Sequence, residues 1–314
     1  MHRATLIINS SAGQRRDLQA LVSALRQVLQ RRDVRVNVVM TTARGTAQGL
    51  SAEAAASGSD HVFACGGDGT VHEVLQGLVG TTASLGVVPL GTANALARNL
   101  RLSTDPVKAL EQQLSFKPRL ISVGEVRCAT PEGESTRYFT VMTGAGPDGA
   151  LVYRLLAGKR SRLGRSAYYA HAAKLFLTRR FPPFCVEYRK NDSGEWEEQE
   201  SVSVLCARVA DLGGIFRPLA RGGLQLESDL RLIVVKPPAQ VGLPAWFAFG
   251  SVGMHSRNPW LETVRVSEFR CMPITQNRRI HTEADGEWLG HLPMSVRLVP
   301  QAISLLLPEN IVTG

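Results

Sequence analysis

Cysteine is scarce and scattered. Cys65, Cys128, Cys185, Cys206 and Cys271 are an odd number, and no two of them form a CxxC pair. That spacing disfavours a disulfide framework and a paired-cysteine zinc site, and it points to a reducing cytoplasm. None of the seven histidines belongs to an HxxxH or HExxH arrangement, which removes the helical zinc-hydrolase class. Long apolar runs are missing too: the most apolar stretch, 241–252, is interrupted by Pro244 and glycines and falls short of the roughly 20 residues a membrane-spanning helix needs. The opening MHRATLIINSSAG holds an apolar run too short for a signal-peptide core. Acidic residues are in deficit, with 27 Asp and Glu against 36 Lys and Arg, a formal charge of +9. Such a surplus favours an anionic partner, whether nucleotide, acidic lipid surface or nucleic acid, without choosing among them.

What is there is an ordinary globular composition, 44% hydrophobic over 314 residues, with no repeat or low-complexity tract and enough chain for about two domains. Short apolar runs at 4–9, 34–40, 61–65 and 85–88 alternate with helical periodicity at 18–29, 46–56 and 71–78. That alternation predicts an α/β domain with a parallel sheet over 1–120, with the tail 300–314 a candidate addition. From 121 to 299 the texture becomes strand after strand: 121–128, 138–143, 185–188, 202–208, 230–235, 263–269 and 294–299. PEGE, NDSGE and ADGE turns separate them, and one helix-like stretch falls at 166–177. This predicts an antiparallel β-sandwich as the second domain.

The strongest local signal is Gly66-Gly67-Asp68-Gly69-Thr70, directly after the strand HVFAC and directly before a helix. Glycines let backbone amides close on a phosphate, and a helix start adds partial positive charge. Thr70 is a candidate cap for that helix. A second loop of the same placement is Pro89-Leu90-Gly91-Thr92-Ala93-Asn94. Here a helix cap and a ligand contact through Thr92 and Asn94 explain the residues equally well.

These motifs stand in a series: NSSAG, TTARGTA, GGDGTVHEVLQGL, PLGTANALARNL, TGAGPDGALV and EADGEWLG. In this order and spacing the series resembles the diacylglycerol kinase catalytic-domain family, which includes bacterial soluble lipid kinases and the sphingosine kinases. The resemblance runs from about Ala4 to Pro308. GGDGT alone is less specific, being similar in NAD kinases and phosphofructokinases. What the resemblance implies is an NAD-kinase-like first domain, a β-sandwich second domain, ATP and Mg2+ as cofactors, and a lipid as acceptor at the inner membrane surface. By matching motif, ATP would be surrounded by Asn9, Thr41 or Thr42, Gly66, Gly67, Asp68, Gly69, Thr70, Glu73, Gly91, Thr92 and Asn94, with Glu287 of the late DGE also on the cofactor side. Asp285 of that DGE would accept the proton of the lipid hydroxyl, and Asp68 is the rival base. Asp285 lies among Glu283 and Glu287, and like charges facing one site raise a carboxyl's affinity for its proton. Read without the resemblance, Asp-Gly is equally a hairpin turn signal.

The chain departs from the family pattern in three places. NSSAG stands for the usual NPxSG, and Asn94-Ala95 for the usual Asn-Asp. The segment LQLESDLRLIVV lacks the glycine of the usual DGxLD run, a structural magnesium site. Asp229 with the carbonyls of Leu226 and Arg231, and Glu227 second, is the candidate set here; a metal-free strand-entry turn is the equal alternative. Two look-alikes are set aside. Gly144 to Gly149 reads GxGxxG but follows an antiparallel-type strand, with no acidic residue about twenty positions on. Ala157-Gly158-Lys159 lacks the other Walker residues. Finally, Lys159, Arg160, Arg162, Arg165, Arg179 and Arg180 flank an apolar stretch with Tyr168, Tyr169, Leu175 and Phe176. That pattern suits a peripheral anionic membrane surface or a solvated face, and no nucleic-acid module accompanies it. Trp246, Phe247 and Phe249 are candidates for a lipid entry or for core packing. Two rival functions remain: an NAD-kinase-like or sugar kinase on a soluble acceptor, and a non-catalytic nucleotide- or lipid-binding regulator.

Overall fold

The computed structural model describes residues 2–11, 17–157, 181–191, 193–209, 230–239, 241–245, 258–275 and 279–309. The contacts divide the chain into two units, one built on the residues up to Val123 with those from Val299 on, the other on most of what lies between.

In the first unit β1 (Arg3–Asn9) lies parallel between β2 (Arg35–Thr41) and β3 (His61–Gly66), and β4 (Ser84–Pro89) follows parallel to β3. The last stretch of β14 (Glu287–Leu307) extends the sheet beside β4, where Ser304 pairs with Ser84. The helices are α1 (Leu18–Gln30), α2 (Thr46–Ala56), α3 (Asp68–Leu78), α4 (Ala95–Asn99) and α5 (Pro106–Gln113). α1 begins where the Asp17 side chain accepts from the amides of Gln19 and Ala20, a cap worth about 1 kcal/mol. Its Leu21, Leu25, Val28 and Leu29 recur at helical spacing and pack on Leu6, Ile8 and Phe63. α5, which no sequence signal above predicted, starts on an Asp105 cap with Pro106 in its first turn. Its fully buried Gln113 donates to the Val87 carbonyl at 2.7 Å and accepts from the Val87 amide at 2.8 Å. A side-chain amide thus completes the β4 backbone beyond the stretch that β14 pairs.

The second unit is antiparallel. It comprises the end of β5 (Lys117–Thr130), β6 (Gly133–Phe139), β7 (Met142–Ala145), α6 (Pro147–Ala157), β8 (Phe184–Lys190), β9 (Trp196–Ser201), β10 (Ser203–Ala207), β11 (Leu230–Val235), β12 (Leu261–Pro273), β13 (His281–Ala284) and most of β14. β13, β7, β10, β11, β12, β8 and β9 are neighbours in that order, and β12 pairs again with β14. The strands thereby close on a core containing Leu232 and Val234, while Ile233 and Val235, one residue out of phase, pack into a second cluster. Period-two alternation with both faces apolar is what a strand buried on two sides requires. The expected single strand 138–143 is in fact two strands, broken after Phe139. The amides of Thr140, Val141 and Met142 all donate to the Asp285 carboxylate, and the chain cannot run on straight while they do. The helix-like stretch 166–177 and the 159–180 basic cluster lie outside the described residues, as do Trp246, Phe247 and Phe249.

Candidate functional site

In the first unit the parallel register brings Asn9, Thr41, Gly66 and Pro89 to the carboxyl ends of β1 to β4, the edge at which open α/β sheets bind ligands. The order β2, β1, β3 reverses direction between β1 and β3. There the Asn9 Nδ2 donates to Thr70 Oγ1 at 3.0 Å. Thr70 therefore takes part in this crossing, and Gly67 is the residue before α3, a helix that no side chain caps. An eleven-residue helix with a glycine at that position leaves its first amides directed at whatever occupies the edge.

Asp68 joins the two glycine loops. Its carboxylate accepts from the amides of Asn94 at 2.9 Å and Ala95 at 2.6 Å. The loops meet so closely that a Cβ on Gly91 would lie 2.6 Å from the Gly67 Cα, so only glycine fits at 91. Asn94, with a left-handed φ of 47°, turns its side chain inward: Nδ2 donates to the Gly91 carbonyl and Oδ1 accepts from the Gly91 amide. Thr92 beside it is exposed. Glu73 accepts from the amides of Gly45 and Ala47 and so caps α2 from α3. The Thr41 carbonyl accepts from Ser10 Oγ; Thr41 is buried and Thr42 exposed. The sequence-predicted residues of this unit are thus brought together, and two of the acidic ones hold loops by their backbones. A nest of backbone amides lined by glycine, with hydroxyls at its rim, is a donor set that fits a polyphosphate.

In the second unit Asp285 and Gly286 have φ of 49° and 81°, the left-handed pair of a tight hairpin turn. Asp285 is 8% exposed. Its amide donates to the Met142 carbonyl at 2.8 Å, and its carboxylate accepts from Thr140, Val141 and Met142 at 3.1, 2.9 and 3.0 Å. The hairpin-turn reading of this motif holds in its geometry, and three amides fix the direction of its carboxylate. Glu287 begins β14 and pairs with Ala284. The like-charge crowding expected here falls on Glu283 and on Asp148, a residue that sequence reasoning passed over inside the GxGxxG look-alike. Burial first, then the charge of Asp148, raises the Glu283 carboxyl well above its ordinary range. Burial raises Asp148 to about 6. The signal for Asp148 was Pro147 at a helix start after a glycine turn.

Of the candidate magnesium set, Asp229, Leu226 and Glu227 lie outside the described residues. Arg231 sits inside the sheet, in register with Ala207 on one side and Arg265 on the other. Among the described residues no helix is long and apolar enough to cross a membrane.

These features define a class: an NAD-kinase-like parallel sheet with glycine loops at its carboxyl edge, followed by an antiparallel β-sandwich. The comparisons give the family. Residues 3–126 match the diacylglycerol kinase catalytic domain, and residues 142–307 the YegS C-terminal NAD kinase beta sandwich-like domain. The chain belongs to the diacylglycerol kinase catalytic-domain family, a family of kinase phosphotransferases. It is 25% identical to a diacylglycerol kinase of Bacillus subtilis (strain 168), covering 99% of this chain and 98% of that one. With a diacylglycerol kinase of Staphylococcus saprophyticus it shares 24% identity over 98% of this chain and 96% of that one. Its fold is similar to a crystal structure of a diacylglycerol kinase from Bacillus anthracis (TM-score 0.70, 20% identity, 99% and 98% covered). It is similar also to yeast NADH kinase (TM-score 0.51, 10% identity, 98% and 84% covered).

Proposed function

We propose that this chain transfers the γ-phosphate of ATP to the hydroxyl of diacylglycerol or a related lipid alcohol. The observation that carries the reading is the Asp68 bridge, which holds the Gly66–Thr70 and Gly91–Asn94 loops together beside the uncapped start of α3. Phosphoryl transfer asks little covalent help of a protein and much positioning and charge stabilisation, which such a cradle supplies. Asn9, Thr41, Thr42, Gly66, Gly67, Gly69, Thr70, Gly91 and Thr92 border it and are the residues assigned to the nucleotide. Magnesium bound with the triphosphate would offset its charge.

On the acceptor side Asp285 takes the hydroxyl proton as the lipid oxygen bonds to phosphorus and ADP leaves; three amides fix the direction of its carboxylate. The lipid acceptor is supported by the relatives described as diacylglycerol kinases and by the basic, tyrosine-bearing segment 159–180. That segment is assigned to peripheral contact with an anionic membrane at its cytoplasmic face, at about 1 kcal/mol per cation.

The test is incubation of the protein with γ-labelled ATP, magnesium and a total lipid extract. Label in the lipid phase is expected. Label confined to water-soluble products would transfer the assignment to a soluble acceptor, and no transfer at all would favour a non-catalytic regulator.

A further inference from the structure

The α6 start is locked onto β13. The Gly146 amide donates to the His281 carbonyl, and a Cβ on Gly149 would come within 2.3 Å of that same oxygen. This contact sets Asp148, at the start of α6, against Glu283, which is fully buried opposite Gly144 in the β7–β13 ladder. Asp148 Oδ2 and Glu283 Oε1 are both buried and, among the described residues, accept no hydrogen bond from a donor, and both lie about the same short distance, 3.4 and 3.5 Å, from where a Gly144 Cβ would be. The other Glu283 oxygen, Oε2, accepts from the Gly286 amide at 3.0 Å, and the Glu283 carbonyl accepts from Thr143 Oγ1 at 2.6 Å. Glu283 thus reaches directly into the Asp285–Gly286 turn.

We propose that Asp148 and Glu283 share one proton between these two oxygens, and that this shared proton positions the turn that carries Asp285. Two facing acceptors in a dry site repel unless something positive lies between them. A metal does not suit: among the described residues no third His, Cys or carboxylate ligand atom gathers with the pair. The titratable and charged groups on the elements around it are Asp285 and Glu287 of the turn, His281 on β13, His291 and Arg297 on β14, Tyr153 and Arg154 on α6, Cys206 on β10 with Arg208 just after it, and Glu134, Arg137 and Tyr138 on β6, with none on β7. Asp285 acts on Glu283 as a second anion, and no described cation offsets either carboxyl. With the proton in place one carboxyl donates to the other, and Glu283 Oε2 stays on Gly286. When the proton is lost at higher pH, two anions face each other beneath the turn. Asp148 and Glu283 are on this account positioning residues. Their effect on catalysis rests on the reading of Asp285 as the base; the shared proton itself does not.

The infrared spectrum of the full chain at neutral pH should contain the C=O stretch of a protonated carboxyl, and Glu283→Gln and Asp148→Asn should each remove it. Absence of the band from the native protein would overturn the proposal. In turnover, Glu283→Gln supplies a permanent N–H to Asp148, so it should keep most of kcat and lack the decline toward higher pH expected of the native chain. Glu283→Leu, which bonds nothing, should lose about tenfold or more in kcat with KM for ATP unchanged. Equal kcat and equal pH profiles for the Gln and Leu variants would refute the positioning role. Should Glu283→Leu fail to fold, the band and the Gln profile still decide. If the band behaves as stated while Asp285→Asn turns over normally, the reading of Asp285 fails and the shared proton stands.

Discussion

The carboxylates of the candidate site do mechanical work through backbone amides, each in a different place. Asp68 holds two loops, Glu73 caps a neighbouring helix, and Asp285 gathers three amides of a strand junction. For Asp68 this means that removing the carboxylate unties the second loop. Asp68→Ala should abolish turnover while the fold survives, and amide exchange at Asn94 and Ala95 should quicken, as hydrogen-exchange NMR can read. Wild-type turnover in that variant would sink the assignment of the site. Other carboxyls make stability depend on pH in opposite directions. Glu125 is held below its ordinary 4.5 by the Arg297 guanidinium, bonded through two nitrogens at 2.8 and 3.0 Å, with Arg127 adding to the effect. Its contribution is present above 4.5 and is lost as pH falls through the lowered value. Asp148 is raised from 3.8 to about 6, so its contribution is complete below 3.8 and is lost as pH rises toward 6. Calorimetric Tm against pH should therefore fall toward both ends, Glu283→Gln flattening the upper limb and Glu125→Gln the lower. An unchanged upper limb in Glu283→Gln would contradict the pair's role in stability.

At the scale of elements, the proposed nucleotide site depends on the close approach of Gly91 to Gly67. Gly91→Ala should weaken ATP binding and turnover far more than it lowers Tm, because the loop is exposed while the clash is with backbone that cannot swing away. A variant with normal ATP affinity would show that the loops do not need to touch. Much of this was legible in the sequence. The helix at 46–56 and the strand at 230–235 end where the apolar periodicity ends. Glycine loops at strand ends announce themselves by composition. The misses have physical causes. α5 is short and rests on a cap and on Gln113, a buried polar residue that periodicity counts as exposed. β9 alternates charged residues along an edge strand and carries no apolar run. The break after Phe139 is invisible because it depends on Asp285, 145 or so positions away. For the same reason the Asp148–Glu283 pair could not be read from either local motif.

At the scale of the whole molecule, the excess of +9 and the proposed lipid acceptor lead to one expectation about surfaces. Binding to acidic vesicles should weaken steeply from low to high salt, since exposed charges are screened within about 10 Å at 0.1 M. Binding indifferent to salt in a sedimentation assay would point to insertion of apolar side chains instead. The proposed function has the glycine loops around Asp68 hold the nucleotide and Asp285 take the proton of the acceptor. The most direct test is to measure turnover on diacylglycerol vesicles and ATP binding by calorimetry for Asp285→Asn. The Asn side chain keeps the shape of the carboxylate and cannot take up a proton, so turnover should fall by roughly 10² to 10⁴ with ATP affinity unchanged. Near-normal turnover of Asp285→Asn at saturating lipid and magnesium would contradict the account.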